Sequence, residues 1–82
     1  MSERIREEDA RNVLWFFGDR ANGWEAGSFT SKLMSALGSA DSTNTSLLGV
    51  VFPGLVAAFS LAKESPNGLD ILRDIASGRL SQ

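Results

Sequence analysis

The 82-residue chain contains no cysteine and no histidine, and these two absences exclude most of the common site chemistries. Without cysteine there is no disulfide bond and no thiolate nucleophile or metal ligand. Without histidine the chain lacks the usual general base near neutral pH, the usual zinc ligand and the Ser-His nucleophile pair. The sequence therefore predicts a protein that is not an enzyme and that has no cofactor or metal site.

Acidic residues are the remaining candidates for proton transfer, because a carboxylate can act as a general acid or base. That role requires a pKa raised by burial, and the five candidates have polar neighbours in the sequence. We expect a solvated face rather than an active site for Glu7, Glu8, Asp9, Asp70 and Asp74.

The sequence also contains no long block of residues that carry the same charge. Eight Lys and Arg stand against ten Asp and Glu, for a net charge of −2, and the two signs are interleaved. Neither nucleic acid nor a membrane is therefore expected as a partner. Residues 1–9 lack the apolar run of a secretory signal, which favours a cytoplasmic location.

The longest charge-free stretch, residues 42–62, is too polar and too interrupted for a membrane helix. Its apolar part, residues 47–62, would reach only about 24 Å as a helix, against about 30 Å of hydrocarbon. Gly49, Pro53 and Gly54 interrupt it. We therefore expect residues 47–62 to form a buried core element.

Apolar spacing predicts one all-α domain over residues 1–82, built as a small bundle of four to five short helices. Gly18 can end the first helix, and Ser28 is the expected N-cap of the second. The predicted buried stripes of these two helices are Ala10, Val13, Leu14 and Phe17, then Phe29, Leu33, Ala36, Leu37 and Ala40.

The second half of the chain should break or kink at Phe52-Pro53, because proline disfavours helical geometry in the preceding residue and suits the first position of a new helix. Residues 41–44 offer caps for the helix before the break. Gly78 can cap the last helix, which leaves residues 79–82 as a frayed tail. The expected inner faces are Leu55, Val56, Phe59 and Ala62, then Leu69, Leu72, Ile75 and Ala76.

Trp24 is a large apolar residue that falls outside every helical stripe, on a linker between Gly23 and Gly27. One interpretation is that its indole covers the core next to the second helix. The other is that it anchors an interface, since aromatic residues dominate binding hot spots. Trp24 is the candidate interface residue.

Residues 33–48 resemble a helix-turn-helix, with Leu33, Leu37-Gly38, Thr43, Thr45 and Leu48 at the offsets of that motif. Two departures favour two ordinary core helices instead. Asn44 stands where the motif wants an apolar residue, and residues 41–62 contain no Lys or Arg to contact phosphates. In the DNA-binding alternative, Ser42, Asn44 and Ser46 would have to make the contacts.

A longer pattern extends over residues 27–60. Its residues are Gly27-Ser28-Phe29, Leu33, Ala40-Asp41, Asn44, Leu48, Phe52-Pro53 and Val56-Ala57-Ala58. They resemble the motif F-x-x-x-L followed by A-D-x-x-N-x-x-x-L-x-x-x-F-P-x-x-V of short phage and prophage helical proteins of unassigned function. Thr45 replaces the basic residue that often follows the Asn. The resemblance implies a viral origin and a helical fold, and it supplies no catalytic residue.

These observations favour a non-enzymatic protein-interaction module, a phage accessory protein in the host cytoplasm that binds a host or viral protein or associates with itself as a homodimer. The alternative is a helix-turn-helix DNA-binding protein using residues 33–48.

Overall fold

The computed structural model describes residues 4–80 and is all-helical, as predicted, with no strand among the described residues. It contains five α-helices in chain order: α1 (Glu7–Phe16), α2 (Ser28–Ser39), α3 (Ser42–Val51), α4 (Pro53–Glu64) and α5 (Gly68–Ala76). The linker between α1 and α2 is the only long connection among these helices.

The predicted break at Phe52-Pro53 is confirmed. The chain leaves helical geometry at Phe52, with φ −125° and ψ 62°, and Pro53 is the first residue of α4. Asp41 caps α3, because its carboxylate Oδ1 accepts a hydrogen bond of 2.8 Å from the backbone N–H of Asn44. Local chemistry alone thus fixes where α3 begins and where it turns into α4.

The other helix ends also follow from single residues. Gly18 and Gly78 both adopt positive φ, 101° and 81°, where a residue with a side chain is strained, and each follows the end of its helix as predicted. The predicted N-cap at Ser28 is wrong by one position. Ser28 is already helical, and Gly27 is the cap, with extended backbone and no side chain to donate or accept.

At the end of the chain, the backbone N–H groups of Arg79 and Leu80 both donate to the carbonyl of Asp74. The Arg79 guanidinium also pairs with the Asp74 carboxylate at 2.9 Å. The first half of the expected tail is therefore attached to α5, and residues 81–82 lie outside the described residues.

The core lies where α1, α4 and α5 pack against one another, with α2 laid across α1 and α4. Most of the predicted stripes of these three helices are confirmed as buried, but the prediction is wrong for Phe17. Phe17 follows the last residue of α1 and is 38% exposed, with its ring beside those of Phe16 and Phe59.

In α2, Met34 and Leu37 are buried and Leu33 packs against the core, so the predicted stripe is right for Leu33 and Leu37. It is wrong for Phe29 and Ala36, which face outward because the helix is rotated toward Met34. The buried apolar side chains are Ile5, Ala10, Val13, Leu14, Met34, Leu37, Leu55, Val56, Ala58, Phe59, Leu72, Ile75 and Ala76.

The prediction that residues 47–62 are buried in the core is wrong for the part before the break. α4 enters the core, while none of residues 42–51 of α3 is buried. The physical reason is position, since α3 packs chiefly against α4 and no other described helix covers its opposite side.

Candidate interaction surface

The outer side of α3 exposes three large apolar side chains in a row. Leu47, Val50 and Val51 are 62%, 80% and 67% exposed, and they stand at i, i+3 and i+4 on one side of the helix. We call these three residues the α3 face. The opposite side of α3 contributes Leu48, which is partly buried and packs against the core. α3 is apolar on both sides and packs chiefly against α4, so its second apolar side is not covered by any of the described helices.

Phe29 continues this apolar surface from α2. Its side chain is 64% exposed, and its ring centroid lies 5.9 Å from that of Phe52, within the usual range for aromatic pairs. Beside Val51, the two rings form one wall of an open groove of about 800 Å³, which we call the aromatic groove. Sequence reasoning had placed Phe29, Leu47, Val50 and Val51 in the core, and all four are exposed.

The polar end of the aromatic groove is formed by the start of the described chain and by α1. Asp9 belongs to it and is buried, so the expectation of a solvated carboxylate is wrong at this position. Arg6 holds the carboxylate through its backbone N–H, its Nε and its Nη2, each at 3.1 Å. This hydrogen bonding raises the pKa of Arg6 above its ordinary value. The Arg6-x-x-Asp9 spacing was the sequence signal for this pair.

Gly54 explains how the Asp9 carboxylate reaches α4. A Cβ atom at Gly54 would overlap Asp9 Oδ2 and would also crowd the carbonyl of Arg4. Glycine therefore allows α1 to bring its carboxylate against the first turn of α4, where the helix dipole favours negative charge. Asp9 therefore lies against the first turn of α4 while its carboxylate accepts hydrogen bonds from Arg6.

A second, smaller groove runs along the other side of α3, between α3 and α4. Its volume is about 480 Å³, and we call it the α3–α4 groove. The residues that line it carry no charge and are mostly small: Thr45, Ser46, Gly49, Val50, Pro53, Val56, Ala57 and Ser60. The α3 face therefore forms a ridge with a groove on either side.

Trp24 is half-exposed, and its surroundings are built by α1. Its backbone N–H donates to the carbonyl of Arg11 at 3.0 Å, and its carbonyl accepts a hydrogen bond of 2.8 Å from Asn12 Nδ2. The Arg11 guanidinium lies over the indole, 4.9 Å from the ring centroid. Trp24 is not among the residues lining either groove, and its role as an interface anchor stays a prediction.

The linker that carries Trp24 is also attached to α5. Arg73 Nε donates to Asp19 Oδ2 at 2.7 Å, and Arg73 Nη1 pairs with Asp70. The hydrogen bond from Arg73, followed by one from Asn22, lowers the pKa of Asp19 from its ordinary value of 3.8 to about 2. This network stabilises a loop conformation, and it keeps the Asp19 carboxylate ionised.

The three candidate DNA-contacting residues, Ser42, Asn44 and Ser46, are all exposed on α3. Ser46 lies one helical turn before Val50 and lines the α3–α4 groove with it. The surface that would meet DNA in that alternative also presents the α3 face. α3 has little contact with α2, whereas the two helices of a helix-turn-helix pack together across their turn.

Among residues 4–80, no three acidic side chains come together in a way that could hold a metal ion. Within the same residues, every buried side-chain nitrogen or oxygen has a hydrogen-bond partner. None of the described helices is long and apolar enough to cross a membrane.

Comparison with known proteins adds no family to this geometry. No protein-family model matches the chain, and no curated protein or solved structure is detectably similar to it. The α3 face and its two grooves therefore have to be interpreted from their own chemistry.

Proposed function

We propose that this chain is a non-enzymatic protein-interaction module and that it binds its partner through the α3 face. The observation that carries the proposal is the exposure of Leu47, Val50 and Val51 on one side of a charge-free helix. Single exposed apolar residues are ordinary, but a contiguous apolar surface on a small domain marks an interaction site.

The small size of the fold strengthens this argument. A chain of 82 residues is stable by only about 4 to 12 kcal/mol, and it has few apolar residues to spare outside its core. Placing three of them in water on α3, with Phe29 beside them, uses apolar surface that could have stabilised the monomer. A partner that covers this surface gives those residues a role.

The pKa shift of one carboxylate and the ion pairs of the others support the non-enzymatic part of the proposal. A general acid or base needs a pKa brought near neutrality, and the shift at Asp19 goes in the opposite direction. Asp9 is paired with Arg6, and Asp74 with Arg79. These carboxylates are engaged in ion pairs at the start of α1, at the end of α5 and between the linker and α5.

The likeness to short phage and prophage helical proteins supplies the biological setting of the proposal. In that setting the chain is a phage accessory protein in the host cytoplasm, and its partner is a host or viral protein, including a second copy of itself. The helix-turn-helix alternative has weaker support, since the helix that would enter the DNA groove carries no cation and displays Leu47, Val50 and Val51.

The test is affinity capture with matched charge variants. Val50→Lys places a cation in the centre of the α3 face, near the end of the helix where the dipole tolerates it. Leu80→Lys makes the same change at another exposed apolar residue, next to α5. A partner that uses the α3 face is captured by wild type and by Leu80→Lys, and it is lost with Val50→Lys. The proposal would be contradicted if wild type, Val50→Lys and Leu80→Lys captured the same partners equally well and also self-associated to the same extent.

A further inference from the structure

We infer that the partner of the α3 face is a second copy of this chain, in a two-fold symmetric dimer in which α3 of each copy packs along α3 and α4 of the other. This inference rests on the proposed function, because it assigns an occupant to the same surface.

The first argument is shape. Leu47 and Val50 are the part of the α3 face that lies next to the α3–α4 groove, and we call these two residues the ridge. The groove has a volume of about 480 Å³, and Val50 lies on its rim. The groove is open because small residues line it, among them Gly49 and Ala57. An interface between identical copies related by a two-fold axis must be self-complementary, so each copy must offer both a ridge and a groove. Ridges that fit into grooves are the ordinary way in which helices pack.

Charge is the second argument. Residues 42–62, which supply the ridge and both sides of the α3–α4 groove, contain no Asp, Glu, Lys or Arg. Two copies can therefore meet there without removing a charge from water and without opposing like charges. The aromatic groove differs, since Arg4, Arg6 and Glu8 stand at its polar end. The uncharged side of the ridge is the one that suits an identical copy.

The third consideration is area, which sets the expected strength of the dimer. α3 has ten residues, so its outward side is about 15 Å long and about 10 Å wide. The adjoining side of α4 adds a strip of similar size, so each copy offers on the order of 300 Å². A dimer would then bury about 600 Å² in total, which is below the standard size of specific interfaces and in the range of weak, transient ones. We therefore expect a weak, reversible dimer with a dissociation constant on the order of 100 μM.

Sedimentation equilibrium on the full chain, from about 5 to 500 μM around the expected dissociation constant, tests the dimer directly. The average mass of the wild type should rise with concentration toward twice the 8.8 kDa of the monomer. Val50→Lys should weaken association by at least about tenfold, while Leu80→Lys should leave it unchanged. Leu47→Lys, one turn earlier on the same ridge, provides a second variant. All three positions are exposed, so the thermal melts should match that of the wild type at protein concentrations well below the dissociation constant of the dimer.

A nuclear magnetic resonance dilution series locates the interface. Amide shifts that depend on concentration should fall on residues 46–50 and 57–60, which form the ridge and the α3–α4 groove. The same experiment on Val50→Lys should show no such dependence at the concentrations used for the wild type.

The outcomes separate the dimer from the proposed function. A wild type that stays monomeric at every concentration, yet captures a different protein that Val50→Lys fails to capture, would overturn the dimer and leave the proposed function standing. A dimer that survives Val50→Lys and Leu47→Lys, with shifts on another surface, would overturn the assignment of this face. A monomer whose capture is also insensitive to Val50→Lys would overturn both.

Discussion

Phe59→Ala should destabilise the fold far more than Phe29→Ala, although the sequence places both phenylalanines in apolar stripes at helical spacing. Phe59 on α4 is 3% exposed, and its ring centroid lies 5.7 Å from that of Phe16 and 5.2 Å from that of Phe17. Phe29 on α2 is 64% exposed and has Phe52 as its aromatic neighbour. The comparison therefore tests burial at constant side-chain chemistry.

The magnitudes follow from the buried area. A phenylalanine side chain has about 200 Å² of surface, and burial is worth about 25 cal/mol per Å². Nearly complete burial of Phe59 gives up to about 5 kcal/mol, within the range of about 3 to 5 kcal/mol for Phe→Ala in a core. Burying a third of Phe29 gives under about 2 kcal/mol. The free energy of unfolding of the whole fold is about 4 to 12 kcal/mol, so Phe59→Ala could be largely unfolded. In that case Phe59→Leu, with an expected loss of about 1.5 kcal/mol, replaces it in the comparison.

The assay is urea denaturation followed by far-ultraviolet circular dichroism, at protein concentrations below the range in which self-association is expected. The midpoint should fall strongly for Phe59→Ala and slightly for Phe29→Ala, with similar slopes. Equal losses at the two positions, or a larger loss at Phe29, would refute the burial argument and with it the exposure of the surface that Phe29 shares with α3.

Three further perturbations test the linker and its attachments. Because the pKa of Asp19 is lowered to about 2, its pairing with Arg73 should contribute stability above pH 4 that is lost as the pH falls toward 2. Urea midpoints should show this loss in the wild type and not in Asp19→Asn. Gly23→Ala should lower the melting temperature, because the new Cβ atom would overlap the backbone of Trp15. Trp24→Ala should also lower the melting temperature, measured by calorimetry, and should leave self-association unchanged in sedimentation. If association weakens while the melting temperature stays the same, Trp24 is instead the interface anchor.

The fold could be predicted from the sequence where local chemistry decides the outcome. Pro53 both ends one helix and starts the next, Asp41 caps α3, and Gly18 and Gly78 supply positive φ where helices stop. The inner face of α4 followed from the spacing of its apolar residues. Each of these features depends on residues within one or two turns of each other, so no knowledge of the tertiary arrangement was needed.

Long-range contacts were beyond the same reasoning. Asp9 stands in an acidic run that is typical of a solvated helix start, and its burial depends on Gly54, which has no side chain at the point where α4 passes α1. Similarly, the spacing within α2 does not distinguish a stripe through Phe29 from one through Met34. The choice is made by the direction from which α1 and α4 approach.

Most of the large residues wrongly predicted to be in the core share one surface, whereas Phe17 after α1 and Ala36 on α2 are exposed outside both grooves. Phe29, Leu47, Val50 and Val51 were all predicted to be buried and all are exposed, and they adjoin one another, since Phe29 and Val51 line the same groove while Leu47 and Val50 continue the row on α3. A contiguous set of large, core-like residues exposed to water is what a monomer shows when part of its apolar surface is completed by another chain. In the dimer inferred above, the ridge of Leu47 and Val50 becomes buried. Burial then accounts for the apolar residues of α3, as it does for those of α4.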